Sequence, residues 1–170
     1  MEKDDCLIST IDEFVNDDLI WYPWEEYVFE KARHENKPIF LSVGYKNNES
    51  YDIVYKECIN NKKVIRILND NFISIEFCSV VNINIDVYMA ACKLLSGSCG
   101  LPSSVFLTYD KKLFYSVNIG LNKENKCKVE NFIDILKSIV EIWNDDNKRI
   151  IDASNELTKA IHTVFDLNIN

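Results

Sequence analysis

The run Ile39-Phe40-Leu41-Ser42-Val43 is short, apolar and closed by Gly44, and it lies between two stretches whose apolar residues recur at helical spacing. Such a run suits a strand buried on both faces, with helices packed above and below it. Upstream, Trp24, Val28 and Ala32, with Tyr27 beside them, form a helical stripe that Lys37-Pro38 stops. Tyr22-Pro23-Trp24-Glu25-Glu26 carries the proline and the acidic residues expected at that helix's start. Downstream, Ile53, Val54, Ile65 and Leu68 mark a second helical stretch, interrupted near Asn60-Asn61. Phe72 to Phe77 then alternates as a strand does.

The remaining periodicities complete the order. Val87, Met89, Ala90, Ala91, Leu94 and Leu95 predict a helix that ends at Ser96-Gly97. Val105-Phe106-Leu107 follows Pro102 as a strand, and the turn Tyr109-Asp110-Lys111-Lys112 leads into Leu113 to Val117, so the two form a hairpin. Val129, Phe132, Ile133, Leu136, Val140 and Trp143 fall on one helical face. Two strand-helix-strand units, a hairpin and a closing helix make an α/β fold: a central mixed sheet flanked by helices, in thioredoxin-fold order. The expected organisation is an N-terminal extension over 1–20, the domain over 21–144, and an additional C-terminal helix and tail over 145–170. In that last helix Ile150, Leu157, Ile161 and Val164 share a face, which packs on the domain itself, or else on a partner or a second copy.

Totals narrow the function. Hydrophobic residues make up 47% of the 170 residues and charged residues 27%, a globular composition. A net charge of -8, spread along the chain, argues against a nucleic-acid backbone or an anionic membrane as the main partner. No apolar run approaches the roughly 20 residues that span a bilayer. The start, Met1-Glu2-Lys3-Asp4-Asp5-Cys6, lacks the basic and apolar regions of a secretory signal, so a cytoplasmic location is expected. Six cysteines include no Cys-x-x-Cys, and only His34 and His162 could join them, so no metal-ligand spacing arises and no cofactor is expected. The cysteines are expected to be small buried apolar residues.

Two longer stretches carry a resemblance. "WYPWEEYVFEKARHENKPIFLSVGY" (Trp21 to Tyr45) and "SCGLPSSVFLTYD" (Ser98 to Asp110), with "NDNFISIEF" and "DVYMAA" between them, resemble the thioredoxin-like domain of the spermatogenesis-associated protein family. The similarity covers roughly residues 14 to 162 and departs from the family where its chemistry would be. After the Gly-Tyr pair the family carries a Cys-x-x-Cys; here Lys46-Asn47-Asn48-Glu49-Ser50-Tyr51-Asp52 follows, with Asn48 and Tyr51 at the two cysteine positions. Its acidic and basic run after the next strand is replaced by Cys78-Ser79-Val80-Val81-Asn82-Ile83-Asn84, and its segment after the hairpin by Ser116-Val117-Asn118-Ile119. Disulfide exchange needs a thiolate nucleophile and a second, resolving thiol, and an amide and a phenol supply neither.

What survives of a site is Pro102. The resemblance implies a cis Leu101–Pro102 bond opposite a helix start, in a groove lined by Asn48, Glu49, Tyr51, Leu101 and Pro102. Free backbone groups beside a phenol suit an extended peptide, so the leading expectation is a redox-inactive module that binds a protein or peptide. The alternative is a thiol-disulfide oxidoreductase using a displaced pair, Cys78 and Cys99, on the same face. His34 is expected on a solvated helix face, and Asp145, Asp146 and Asp152 are expected to complement a helix dipole. Full-length members of the family continue into a helical barrel; whether this chain stands alone or is a fragment stays open.

Overall fold

A computed structural model describes residues 19–44, 49–78, 85–96, 103–119 and 128–165. In chain order the elements are β1 (Trp21–Tyr22), α1 (Glu26–Glu35), β2 (Ile39–Gly44) and α2 (Glu49–Val54), the last prolonged by a π-helical turn, Tyr55–Ile59. Then come α3 (Lys62–Asn71), β3 (Ile73–Cys78), α4 (Ile85–Ser96), β4 (Ser103–Leu107), β5 (Leu113–Val117) and α5 (Val129–Phe165).

β2 is buried at all six positions, as its unbroken apolar text requires, and it lies in the middle of the sheet order β1-β3-β2-β4-β5. β1 and β2 run parallel to β3, while β4 runs antiparallel to β2 and β5 antiparallel to β4. This is the mixed sheet expected from the element order. Alternation along each strand divides the interior into two layers. Phe40 and Phe106 face a core shared with Tyr55, Cys58, Leu68, Phe132 and Leu136 from α2, its π turn, α3 and α5. Ile39, Leu41, Ile73, Ile75, Val105 and Leu107 face the opposite core, with Val28, Ala32, Tyr88 and Ala91 from α1 and α4.

The helix boundaries have local causes. The break foreseen near Asn60-Asn61 is an N-cap: the Asn61 side chain accepts the N–H groups of Lys63 (3.0 Å) and Val64 (3.4 Å). α1 ends on Asn36 at φ 53°, a left-handed conformation that asparagine tolerates, and the Trp143 indole N–H donates to the Asn36 carbonyl at 2.9 Å. The hairpin turn closes as expected, with Thr108 and Lys112 paired through backbone and Lys111 at φ 63°.

Two expectations shift. The predicted start of α1 comes too early: helical geometry begins at Glu26, after Pro23, while Trp21–Tyr22 is spent on a short strand against Ser74 and Ile75. The last two helical stretches are two helices, as expected, parted by a kink at Asp146 where the backbone leaves helical geometry (φ -153°, ψ 74°). The Asp146 carboxylate accepts the Arg149 N–H at 3.2 Å and so caps the second half, in keeping with the dipole role expected of it. Finally, the cysteines are not all idle: Cys92 is buried as expected, but Cys58, also buried, is disulfide-bonded. Sequence spacing carries no sign of that, because disulfide geometry is set by proximity in space. Within the C-terminal stripe Ile161 is buried and Leu157 packs with it on the core that holds Ile39 and Ile73.

Candidate functional site

The site foreseen at the end of β2 is built by three strands that reach the same edge of the sheet. Register pairs Gly44 with Cys78 and Val43 with Ser103. The carboxyl ends of β2 and β3 and the amino end of β4 are therefore neighbours, and the chain leaves or enters the sheet there at 45, 79 and 102. Ligands in α/β proteins gather at such an edge. α2 begins one step beyond it with Glu49, which is exposed, and carries Tyr51 and Asp52 in its first turns. Asn48, Cys99, Leu101 and Pro102, with the geometry of the Leu101–Pro102 bond, lie outside the described residues, as do the side chains of Tyr51 and Cys78.

Beneath α2 lies a polar band that the motif reading missed. Ser42 pairs in register with Glu76 on one side and with Ser104 on the other, and all three alternate onto the face that carries Phe40 and Phe106. Ser42 and Ser104 are buried. The signal was present in the text: in Ile73-Ser74-Ile75-Glu76 the polar residues occupy one face and the isoleucines the other.

Tyr55 covers this band from the π turn. Its hydroxyl accepts the Trp21 indole N–H at 3.2 Å, and the two rings stack with centroids 6.3 Å apart. Burial pushes the phenol up to about 12 from its ordinary value of 10; the nearby Glu76 carboxylate adds to the rise and the Trp21 N–H opposes it. A phenol so placed stays neutral throughout the physiological range and cannot act as a base there. The raised folded value makes the stability from neutral Tyr55 fully present below pH 10 and lost as pH climbs from 10 through 12. Urea unfolding measured between pH 9 and pH 12 is expected to show a decline for the unchanged chain and a shallower one for Tyr55→Phe; equal slopes would refute the assignment.

Among the described residues no three His, Cys, Asp or Glu side chains come together as a metal would need, and no helix is long and apolar enough to cross a membrane. Arg33, beside His34, is ion-paired to Asp110 and lies over the Tyr109 ring, so that stretch of α1 is tied to the hairpin turn.

Comparison with known proteins agrees with the architecture. The family described as a protein of unknown function, DUF255, of the thioredoxin DsbH type, matches residues 9–162. An uncharacterized protein of Caenorhabditis elegans is 42% identical over 150 residues, which is 88% of this chain and 20% of that protein. The human spermatogenesis-associated protein 20 is 32% identical over the same length, 88% of this chain and 19% of its own. The chain thus spans about a fifth of these relatives. Among solved structures, a DsbH oxidoreductase superposes with a TM-score of 0.51 at 13% identity, covering 73% of this chain and 85% of its own, a likeness of fold.

Proposed function

The chain belongs to the DUF255 family of thioredoxin-like proteins, and from that premise we infer that it is a redox-inactive thioredoxin-fold module that binds a protein segment at the β2–β4 edge. The observation that carries the reading is a pairing of register with sequence. The edge where Gly44, Cys78 and Ser103 meet is kept, while the text that follows Gly44 holds Asn48 and Tyr51 and no Cys-x-x-Cys. A carboxamide and a phenol cannot form or resolve a mixed disulfide. They can hydrogen-bond and stack against an extended peptide.

The test is a pull-down with the intact chain, Tyr51→Ala and Pro102→Ala, each checked for folding by circular dichroism. Partner recovered by the intact chain is expected to fall about tenfold or more in both variants, as the loss of an aromatic anchor at an interface centre would cause. Undiminished recovery by both would remove the groove from consideration. A second reading rests on Cys78, which ends β3 against Gly44. With Cys99 it would form a displaced thiol pair, and turnover abolished by Cys99→Ser would favour it.

A further inference from the structure

α3 and α5 line an open surface cavity of about 710 Å³ that carries Lys62, Lys63, Arg66, Asp70 and Lys137, all exposed, with Ile133 among its apolar residues. Its volume lies in the range of small-molecule sites. Its charge is opposite to that of the chain: four cations face one carboxylate, Asp70, in a protein of net charge -8. Elsewhere on the described surface several cations are matched, as in Lys31–Glu35, Arg33–Asp110, Lys111–Glu26 and Lys159–Glu156. None of the four cavity cations forms an ion pair among the described residues. Mutual repulsion of cations gathered round one hollow disfavours the arrangement unless an anion offsets it.

The start of α3 is not the source of this character. Asn61 already occupies the Lys63 and Val64 N–H groups, so the donors left to a ligand are side chains. Lys62, Lys63 and Arg66 come from α3 and Lys137 from α5, brought together by the packing of the two helices. Below them Ile65 and Ile133 are buried and give the cavity an apolar floor.

We propose that this cavity binds a small molecule bearing a diphosphate group, which Lys62, Lys63, Arg66 and Lys137 would neutralise. Four cations against one carboxylate match the charge of a diphosphate better than that of a single phosphate, and the planar Arg66 guanidinium suits bidentate contact with phosphate oxygens. The overall negative charge disfavours the long backbone of a nucleic acid and leaves a compact anion as the fitting ligand. The site is separate from the β2–β4 edge, and the two fail or stand independently.

The experiment is calorimetric titration of the full chain with sodium pyrophosphate, inorganic phosphate and ADP at constant ionic strength. The same titrations are made on Arg66→Gln/Lys137→Gln and on Lys93→Gln, an exposed lysine away from the cavity. Pyrophosphate is expected to bind saturably at one site, inorganic phosphate about tenfold or more weakly, and the double variant about tenfold or more weakly than the Lys93 variant. ADP binding more tightly than pyrophosphate would identify an organic diphosphate that also uses the isoleucine floor; equal affinity would identify free diphosphate. No saturable pyrophosphate binding, phosphate binding as tightly as pyrophosphate, or a double variant indistinguishable from Lys93→Gln would overturn the proposal. The thermal midpoints of the unliganded variants verify that each is folded.

Discussion

Phe106→Ala is expected to lower the thermal midpoint by roughly 10 °C, because truncating a fully buried phenylalanine costs about 3–5 kcal/mol and each kcal/mol moves a domain of this size by about 2–4 °C. Phe106 is 0% exposed and pairs in register with Phe40 on one side and Tyr115 on the other. Its ring lies 5.7 Å from Phe40, 5.8 Å from Phe72 and 6.5 Å from Phe114, in tilted arrangements that aromatic rings prefer to flat stacking. Deleting it therefore leaves a void ringed by four aromatic side chains, Phe40, Phe72, Phe114 and Tyr115, that cannot all collapse inward. Tyr27→Ala on the outer face of α1, where the ring is 53% exposed, is expected to stay within about 0.5 kcal/mol of the unchanged chain. Differential scanning calorimetry on both variants reads the contrast directly; similar midpoints would mean that Phe106 is not at the centre of the core.

That centre was visible in the text because the periodicities there are strong and local. The apolar run of β2, the alternation of β3 and the stripe of Phe132, Ile133, Leu136 and Trp143 all went to the buried faces they predicted. Other features depend on contacts distant in the chain. β1 is two residues long, and nothing within Trp21-Tyr22 announces a parallel partner at Ser74–Ile75; its aromatic residues and the following proline match a helix start equally well. The bond at Cys58 and the basic cavity share that property, since residues as far apart as Arg66 and Lys137 become neighbours only when α5 lies on α3.

The edge at β2 was legible to a different degree. Its position followed from a strand that stops at glycine and a helix that begins at Glu49. Its chemistry had to be read from a resemblance, because Asn48 and Tyr51 have no signature of their own. The polar band of Ser42, Glu76 and Ser104 lay between these cases. Alternation assigns each residue to a face, but only the register of three strands makes them a row. That row sets polar side chains on the same face as Phe40 and Phe106, two positions nearer the edge.

Returning thiols to the two replaced positions is expected to convert the chain from no detectable insulin reduction to measurable dithiothreitol-driven turnover. In Asn48→Cys/Tyr51→Cys the first sulfur would immediately precede Glu49, the first residue of α2, where the helix dipole favours a thiolate. Two carboxylates in that first turn, Glu49 and Asp52, oppose ionisation. The revived thiol should consequently titrate higher than one at an uncharged helix start, so turnover should rise with pH through the neutral range. Adding Glu49→Gln should lower the thiol pKa and shift that rise to lower pH, since a like charge beside an ionising group disfavours its charged form. Insulin turbidity followed from pH 6 to pH 9, with alkylation rates reporting the thiolate, distinguishes the outcomes. A folded double-cysteine variant as inert as the unchanged chain would mean that more than sulfur was lost at this edge. Turnover by the unchanged chain that disappears in Cys99→Ser would mean instead that the electrons never left it, having moved to other cysteines.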